Sequence, residues 1–134
     1  CIVDAIKDAE ISPNEIDAIN GHLTATIKDP TEIENWTKAL NRKDDEFPYI
    51  NSLKSMVGHC LAAAGAIESV ATVLQLKHQF VFPNINCEDV HPDIIKLINK
   101  EKIPTEMIHK ELNIIAKASF GFGDVNGCVI FRRY

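Results

Sequence analysis

The stretch "NSLKSMVGHCLAAAGAIE", from Asn51 to Glu68, places a lysine and a histidine directly before a run rich in alanine. A helix is predicted from Gly58 to Gln79. Small or apolar residues occupy nearly all of its faces, which indicates that the helix is buried on every side. His59 would then lie at the helix N-terminus, where the helix dipole favours an uncharged imidazole. A structural cap is the commoner role for a histidine in such a position.

Glu68 is the one acidic residue in this predicted buried helix. A lone ionised carboxylate in a buried position costs several kcal/mol in order of magnitude unless it is paired or protonated. Lys54 is the candidate partner. The alternative, equally weighted, is that Glu68 reaches solvent at the edge of the helix.

Strands and helices alternate along the chain. A short strand is predicted at Ile16 to Ile19 and another at Tyr49-Ile50, and a helix starts near Pro30. The end of the chain is predicted to form a hairpin, with strands near Asn113 to Ser119 and Gly127 to Arg133. The predicted class is therefore α/β, with a mixed sheet because the last pair is antiparallel.

Two further segments are candidates for a site. His22 directly follows the first strand in "INGHLTAT", and strand ends tend to line sites in α/β folds. The segment "SFGFGDVNG" contains Gly121, Gly123 and Gly127, which permit unusual backbone angles and close approach to a ligand. A plain hairpin turn explains these glycines equally well.

Composition excludes several classes of function. The 134 residues carry a net charge of -5 and no long run of lysine or arginine, which argues against nucleic acid as a partner. Polar residues interrupt the longest apolar stretch, so no membrane insertion is expected. Four cysteines without CxxC spacing favour a reducing, cytoplasmic location, and no metal site is expected. A zinc site is formally possible from His59, Cys60, Cys87 and His91.

Taken in order, "NGHLTAT", "NSLKSMVGHCLAAAGAIE" and "ASFGFGDVNG" resemble the C-terminal half of the β-ketoacyl-[acyl carrier protein] synthases, condensing enzymes of the thiolase-like fold. Family members have His-Gly-Thr-x-Thr at residues 22–26 and Lys-Ser-x-x-Gly-His at residues 54–59. They have Ser-Phe-Gly-Phe-Gly-Gly-x-Asn at residues 119–126. The resemblance implies that residues 1–134 are a C-terminal domain, and that the N-terminal domain with the nucleophilic cysteine is not part of this chain.

The resemblance also implies a decarboxylative Claisen condensation and a role for each matching residue. His22 and His59 would donate hydrogen bonds to the thioester oxygen of malonyl, and Lys54, paired with Glu68, would set the local electrostatics. Thr24 and Thr26 would bind phosphopantetheine, which arrives on acyl carrier protein, so no resident cofactor is implied. Phe122 would gate the acyl pocket and contribute its backbone N–H to the oxyanion hole, within a substrate-binding loop formed by Phe120, Gly121, Phe122 and Gly123.

The chain departs from the family pattern at several positions. No cysteine matches the nucleophile, so this chain alone is expected to be inactive, and its own N-terminal half and a full-length homodimer are implied. Leu23 and Asp124 replace glycines. Because "TIKDPTE" is a residue shorter than the family spacing, no role is assigned to Asp29 or Glu32. The alternative reading is a domain of a non-catalytic partner subunit similar to a chain-length factor.

Overall fold

The computed structural model describes the whole chain, residues 1–134, which forms six strands and five α-helices. In chain order the strands are β1 Ala18–Asn20, β2 Tyr49–Asn51, β3 Phe80–Val81, β4 Ile108–His109, β5 Ile114–Phe120 and β6 Asn126–Arg132. The helices are α1 Ile2–Asp8, α2 Asp29–Leu40, α3 Lys54–Val57, α4 Ala64–His78 and α5 Pro92–Ile95.

The main sheet has the strand order β2-β1-β5-β6. Strand β1 runs parallel to both β2 and β5, and β5 runs antiparallel to β6. The predicted α/β class with a mixed sheet and a terminal hairpin is therefore confirmed. Strands β3 and β4 form a separate antiparallel pair that sequence reasoning missed, because two residues per strand leave no periodic signal.

Helices cover both faces of the main sheet. Alternate residues of a strand point to opposite faces, and the larger core joins Ile19 and Ala116 to α1, α2 and α5 around the fully buried Trp36. The neighbouring residues Ala18 and Ile115 pack on Leu76 of α4 on the other face. This arrangement leaves the carboxyl ends of the parallel strands as a common edge.

The predicted start of the alanine-rich helix at Gly58 is wrong. Gly58 has φ +74°, Leu61 has φ +49°, and a 3-10 turn occupies Leu61–Ala63 before α4 begins at Ala64. These left-handed angles interrupt the helical path, so Lys54 and His59 lie in separate short segments ahead of α4. His59 consequently does not occupy a helix N-terminus.

The expected burial of α4 on all sides is also wrong within this chain. The buried face is polar, with Glu68, Thr72 and Gln75 against the sheet, whereas Val70 and Val73 are exposed. The polar face is buried because the strand ends supply partners for it. Asn20 donates to the Glu68 carbonyl and to Thr72 Oγ1, both at 3.1 Å.

None of the helices combines the length and the hydropathy that a membrane span requires.

Candidate active site

Three strands end at the same edge of the sheet and carry the candidate residues there. Strand β1 is followed by Gly21 and His22, β2 leads through Ser52 to Lys54, and β5 ends at Phe120. Because β1 is parallel to both neighbours, these segments emerge side by side. The topology therefore brings together residues that lie up to a hundred positions apart in the sequence.

The imidazoles of His22 and His59 meet at this edge. Their ring centroids are 5.5 Å apart at an interplanar angle of 81°, and the Phe120 ring lies 6.2 Å from His22. His22 is half-buried and His59 is exposed. The two rings therefore border the same site, which is open to solvent at His59.

Burial and nearby positive charge both favour the uncharged form of His22. Burial is the largest cause that lowers the pKa of His22 below 6.5, followed by the positive charge of Lys54 and the proximity of His59. Glu68 opposes the shift, and Lys117 adds to it. A neutral imidazole carries one N–H and is a hydrogen-bond donor at physiological pH.

A backbone hydrogen bond, and not a helix dipole, orients His59. The Leu61 N–H donates to His59 Nδ1 at 3.0 Å, which requires a lone pair on that nitrogen. The ring proton then lies on Nε2, on the opposite side of the ring. The left-handed backbone at Leu61 positions this donor, so the break that separates His59 from α4 also sets its tautomer.

Two carboxylates hold the loop that carries His22. Glu32 accepts the backbone N–H groups of His22 and Leu23, both at 2.8 Å, and Asp29 accepts those of Thr24 and Ala25 at 3.1 and 3.0 Å. Sequence reasoning assigned no role to either residue. The signal present in the sequence was an acidic pair in the first turn of α2, which also suits a helix dipole.

Close approach of Glu32 explains the small residue before His22. A Cβ on Gly21 would lie 2.8 Å from Glu32 Oε1, closer than side-chain carbons approach an oxygen. Trp36 Nε1 donates to the same oxygen at 3.3 Å. Burial is the largest influence on the Glu32 carboxyl and raises its pKa, which its hydrogen bonds partly offset.

Glu68 is buried and paired, which settles the two alternatives left by the sequence. Lys54 Nζ pairs with Glu68 Oε1, and the two side chains are only 6% and 2% exposed. A second lysine, Lys117 of β5, places its Nζ 2.8 Å from Oε2. That contact is an ion pair outside hydrogen-bond geometry. The Lys117 ammonium donates hydrogen bonds to the Ala118 carbonyl and to Ser119 Oγ.

The predicted substrate-binding residues lie on either side of the histidines. Thr24 and Thr26 hydroxyls are 3.2 Å apart in the loop after β1. Residues 121–124 form an exposed turn in which Gly123 has φ +72° and Phe122 is fully exposed. Phe122 therefore does not contact His22 in this chain, whereas Phe120 does face it.

A cleft of about 910 Å³ opens beside the site. Thr24, Thr26, Lys54 and His59 line one part of it. The apolar side chains of Ile33, Ile50 and Ile94 contribute to its lining. The cleft is large enough for an extended ligand that reaches His59.

Burial disfavours the thiolate form of two of the four cysteines. All four thiols are free, and burial raises the pKa of the Cys128 thiol to about 11, which disfavours the thiolate. Burial also raises the pKa of Cys87. No group of three or more histidine, cysteine or acidic side chains is placed to hold a metal ion.

Comparison with known proteins identifies the family. The model of the β-ketoacyl synthase C-terminal domain matches residues 1–88. The chloroplastic 3-oxoacyl-[acyl-carrier-protein] synthase I of Hordeum vulgare is 34% identical over the whole chain, which covers 28% of that protein. Synthase 2 of Vibrio harveyi is 35% identical over 96% of the chain, which covers 30% of it. The chain belongs to the β-ketoacyl synthase family and spans less than a third of these relatives.

Solved structures give the same result at the level of the fold. A type II polyketide ketosynthase, AntDE, in complex with its acyl-carrier protein AntF, has a TM-score of 0.88 and 37% identity; the match covers 100% of this chain and 32% of that one. The ishigamide ketosynthase/chain length factor has a TM-score of 0.86 and 28% identity, and the match covers 96% of this chain and 30% of that one. The predicted C-terminal half of a thiolase-like fold is confirmed.

Proposed function

We propose that this chain is the C-terminal part of the active site of a 3-oxoacyl-[acyl-carrier-protein] synthase. The observation that carries the proposal is the meeting of the His22 and His59 rings, 5.5 Å apart, at the strand edge above a buried lysine–carboxylate cluster. The substrates would be an acyl group held as a thioester on a cysteine of the N-terminal half, and malonyl carried on acyl carrier protein.

In the proposed reaction the bond between the malonyl α-carbon and its carboxylate breaks, and CO2 leaves. The electron pair remains as an enolate whose charge rests on the thioester oxygen. The α-carbon then attacks the cysteine-bound acyl carbonyl, a carbon–carbon bond forms, and the cysteine leaves as thiolate. The product is a 3-oxoacyl group on the carrier protein.

His22 and His59 would each donate an N–H to the enolate oxygen. Fixed donors aimed at the point where charge develops lower the barrier without reorganisation, and loss of one such donor costs about 2.7–4 kcal/mol. Glu32 and the Leu61 N–H would hold the two donors in place. Lys54 would favour the anion through its positive charge.

The cleft and the two threonines suit the carrier-borne arm. Phosphopantetheine is long and polar, and Thr24 and Thr26 hydroxyls would bind it along the wall of the cleft. Phe122, Gly121 and Gly123 would form the gate over the acyl group once the complete enzyme surrounds that exposed turn. The match to a ketosynthase in complex with its acyl-carrier protein supports this choice of partner.

The N-terminal half of the same enzyme would cover α4. Its exposed face carries apolar side chains that a packed neighbour would bury, namely Ile67, Val70, Val73 and Leu74. Relatives are more than three times as long as this chain, which covers 28% of the Hordeum vulgare protein. The nucleophilic cysteine would lie in that half, since none of the four cysteines here stands at a position that matches the family nucleophile. A full-length homodimer and a cytoplasmic location stay predictions.

The second candidate is a domain of a non-catalytic chain-length-factor-like subunit, which the match to a ketosynthase/chain length factor keeps in view. The presence of His22, His59 and Lys54 together favours the enzyme. Incubation of the complete protein with labelled acyl-carrier protein separates the two functions. We expect a covalent acyl thioester and, after malonyl-carrier protein is added, a 3-oxoacyl product by mass spectrometry. A protein that forms neither is not a condensing enzyme.

A further inference from the structure

Lys117 is the single charged residue in the buried strand segment "IIAKASF", residues 114–120. Its side chain is 4% exposed. The ammonium group contacts the Glu68 carboxylate at 2.8 Å and the Ala118 carbonyl at 3.1 Å, and it also donates to the Ser119 hydroxyl. A lysine seldom occupies a buried strand without a specific partner, and here it has three.

The cluster around Glu68 carries an excess of positive charge. Two ammonium groups, Lys54 and Lys117, face one carboxylate, so two positive charges less one negative charge leave one net positive charge. All three side chains are at most 6% exposed. Solvent therefore screens this charge weakly, and it acts strongly on neighbouring groups.

His22 is the titratable group next to this charge, because Lys117 lies beside Asn20 in the register of β1 and β5, two residues before His22. The charged and titratable groups that face it come from every element packed around it: Glu32 of α2, Lys54 of α3, His59 of the following segment, Glu68 of α4 and Lys117 of β5. Glu32 directs its carboxylate to the backbone of the His22 loop, and Glu68 lies between the two lysines. The net charge of the buried cluster around Glu68, near the His22 imidazole, is therefore positive.

We propose that Lys117 is a positioning residue of the condensing site: by pairing with Glu68 opposite Lys54, it leaves a buried positive charge beside the loop that carries His22, and this charge favours an anion there. The inference rests on the proposed function. Lys117 also ties Ser119 to this cluster, one residue before Phe120, whose ring faces His22. It thus links the charge cluster to the loop of residues 121–124.

The test is the pH profile of CO2 release from malonyl-carrier protein by the complete enzyme. Decarboxylation requires neutral His22, so the rate falls at acidic pH as the imidazole becomes protonated. Lys117→Met removes a positive charge and makes that protonation easier. We expect the acid limb to move to higher pH. Lys117→Arg keeps the charge and should restore the wild-type limb.

Lys43→Met is the matched control, since Lys43 is exposed and its loss changes the net charge equally. An acid limb that is unmoved in Lys117→Met, or moved to lower pH, overturns the inference while the proposed function stands. Failure of Lys117→Met and Lys117→Gln to fold also overturns it, because loss of one of two like buried charges should be tolerated. A wild-type enzyme that releases no CO2 removes the proposed function, and this inference with it.

Discussion

Replacing Glu68 should cost far more stability than replacing either of the lysines that flank it. Glu68→Gln keeps the shape of the side chain but leaves Lys54 and Lys117 as two buried ammonium groups without a counter-charge. Removal of one partner from a buried ion pair typically costs about 3–5 kcal/mol. We expect a loss in the free energy of unfolding at the upper end of that range, since two cations lose their partner at once.

Lys54→Met has a smaller expected cost for the same reason. The remaining Lys117–Glu68 pair is neutral, so the loss is that of one charge-assisted hydrogen bond, about 1.5–3 kcal/mol. The two changes should not add. In the Glu68→Gln background, Lys54→Met removes a repelled charge and should be neutral or stabilising, which a double-mutant cycle detects as a change of sign.

Urea unfolding of the four proteins measures these values, with Lys38→Met as the surface control. Lys38 pairs with Glu34 at 2.7 Å, but the side chains are 65% and 48% exposed, and such pairs contribute about 0.3–0.5 kcal/mol. The reasoning is refuted if Glu68→Gln costs less than Lys54→Met. It is also refuted if Lys54→Met costs the same in both backgrounds.

Three further results are expected. The pKa of His22 in the folded chain is below its unfolded value of 6.5, so unfolded chains bind more protons than folded chains as the pH falls below about 6.5. The free energy of unfolding should therefore be unaffected by His22 above that pH and should decrease below it. His22→Phe should flatten this part of a plot of stability against pH, and an unchanged slope would contradict the pKa shift. Glu32→Gln should lower the free energy of unfolding by about 1–3 kcal/mol, because one backbone N–H loses its acceptor, and it should slow CO2 release. Wild-type stability and a wild-type rate would show that the Glu32 carboxylate does not hold the loop. Val70→Asp should prevent this chain from associating with a separately produced N-terminal half while its circular dichroism is unchanged, and retained association would show that α4 is not the interface.

Local sequence patterns predicted the elements that have a long period or a strong boundary. Helix α2 starts at Asp29 with Pro30 in its first turn, and the β5–β6 hairpin lies within a residue of its predicted ends. The start of α4 was unpredictable for a physical reason. Leu61 adopts a left-handed angle that leucine rarely takes, and its local hydrogen bond to His59 gave no sequence signal.

Site residues that lie within one sequence motif could be predicted, whereas contacts between distant segments could not. Lys54 and Glu68 are 14 positions apart within one motif, whereas Lys117 reaches Glu68 from another strand, 49 positions further along. The one signal for Lys117 was a charge inside an otherwise apolar strand. The polar inner face of α4 was hidden similarly, because its partners Asn20 and Asn51 lie on two separate strands.

Release of labelled CO2 from malonyl-carrier protein by the complete enzyme tests most directly whether the imidazoles of His22 and His59 share one enolate oxygen. His22→Ala and His59→Ala should each slow release by about 100- to 1000-fold, while the acyl group still loads onto the cysteine at a near wild-type rate. His109→Ala, at an exposed histidine away from the edge, should leave both steps unchanged. Wild-type CO2 release by either His22→Ala or His59→Ala would contradict the account.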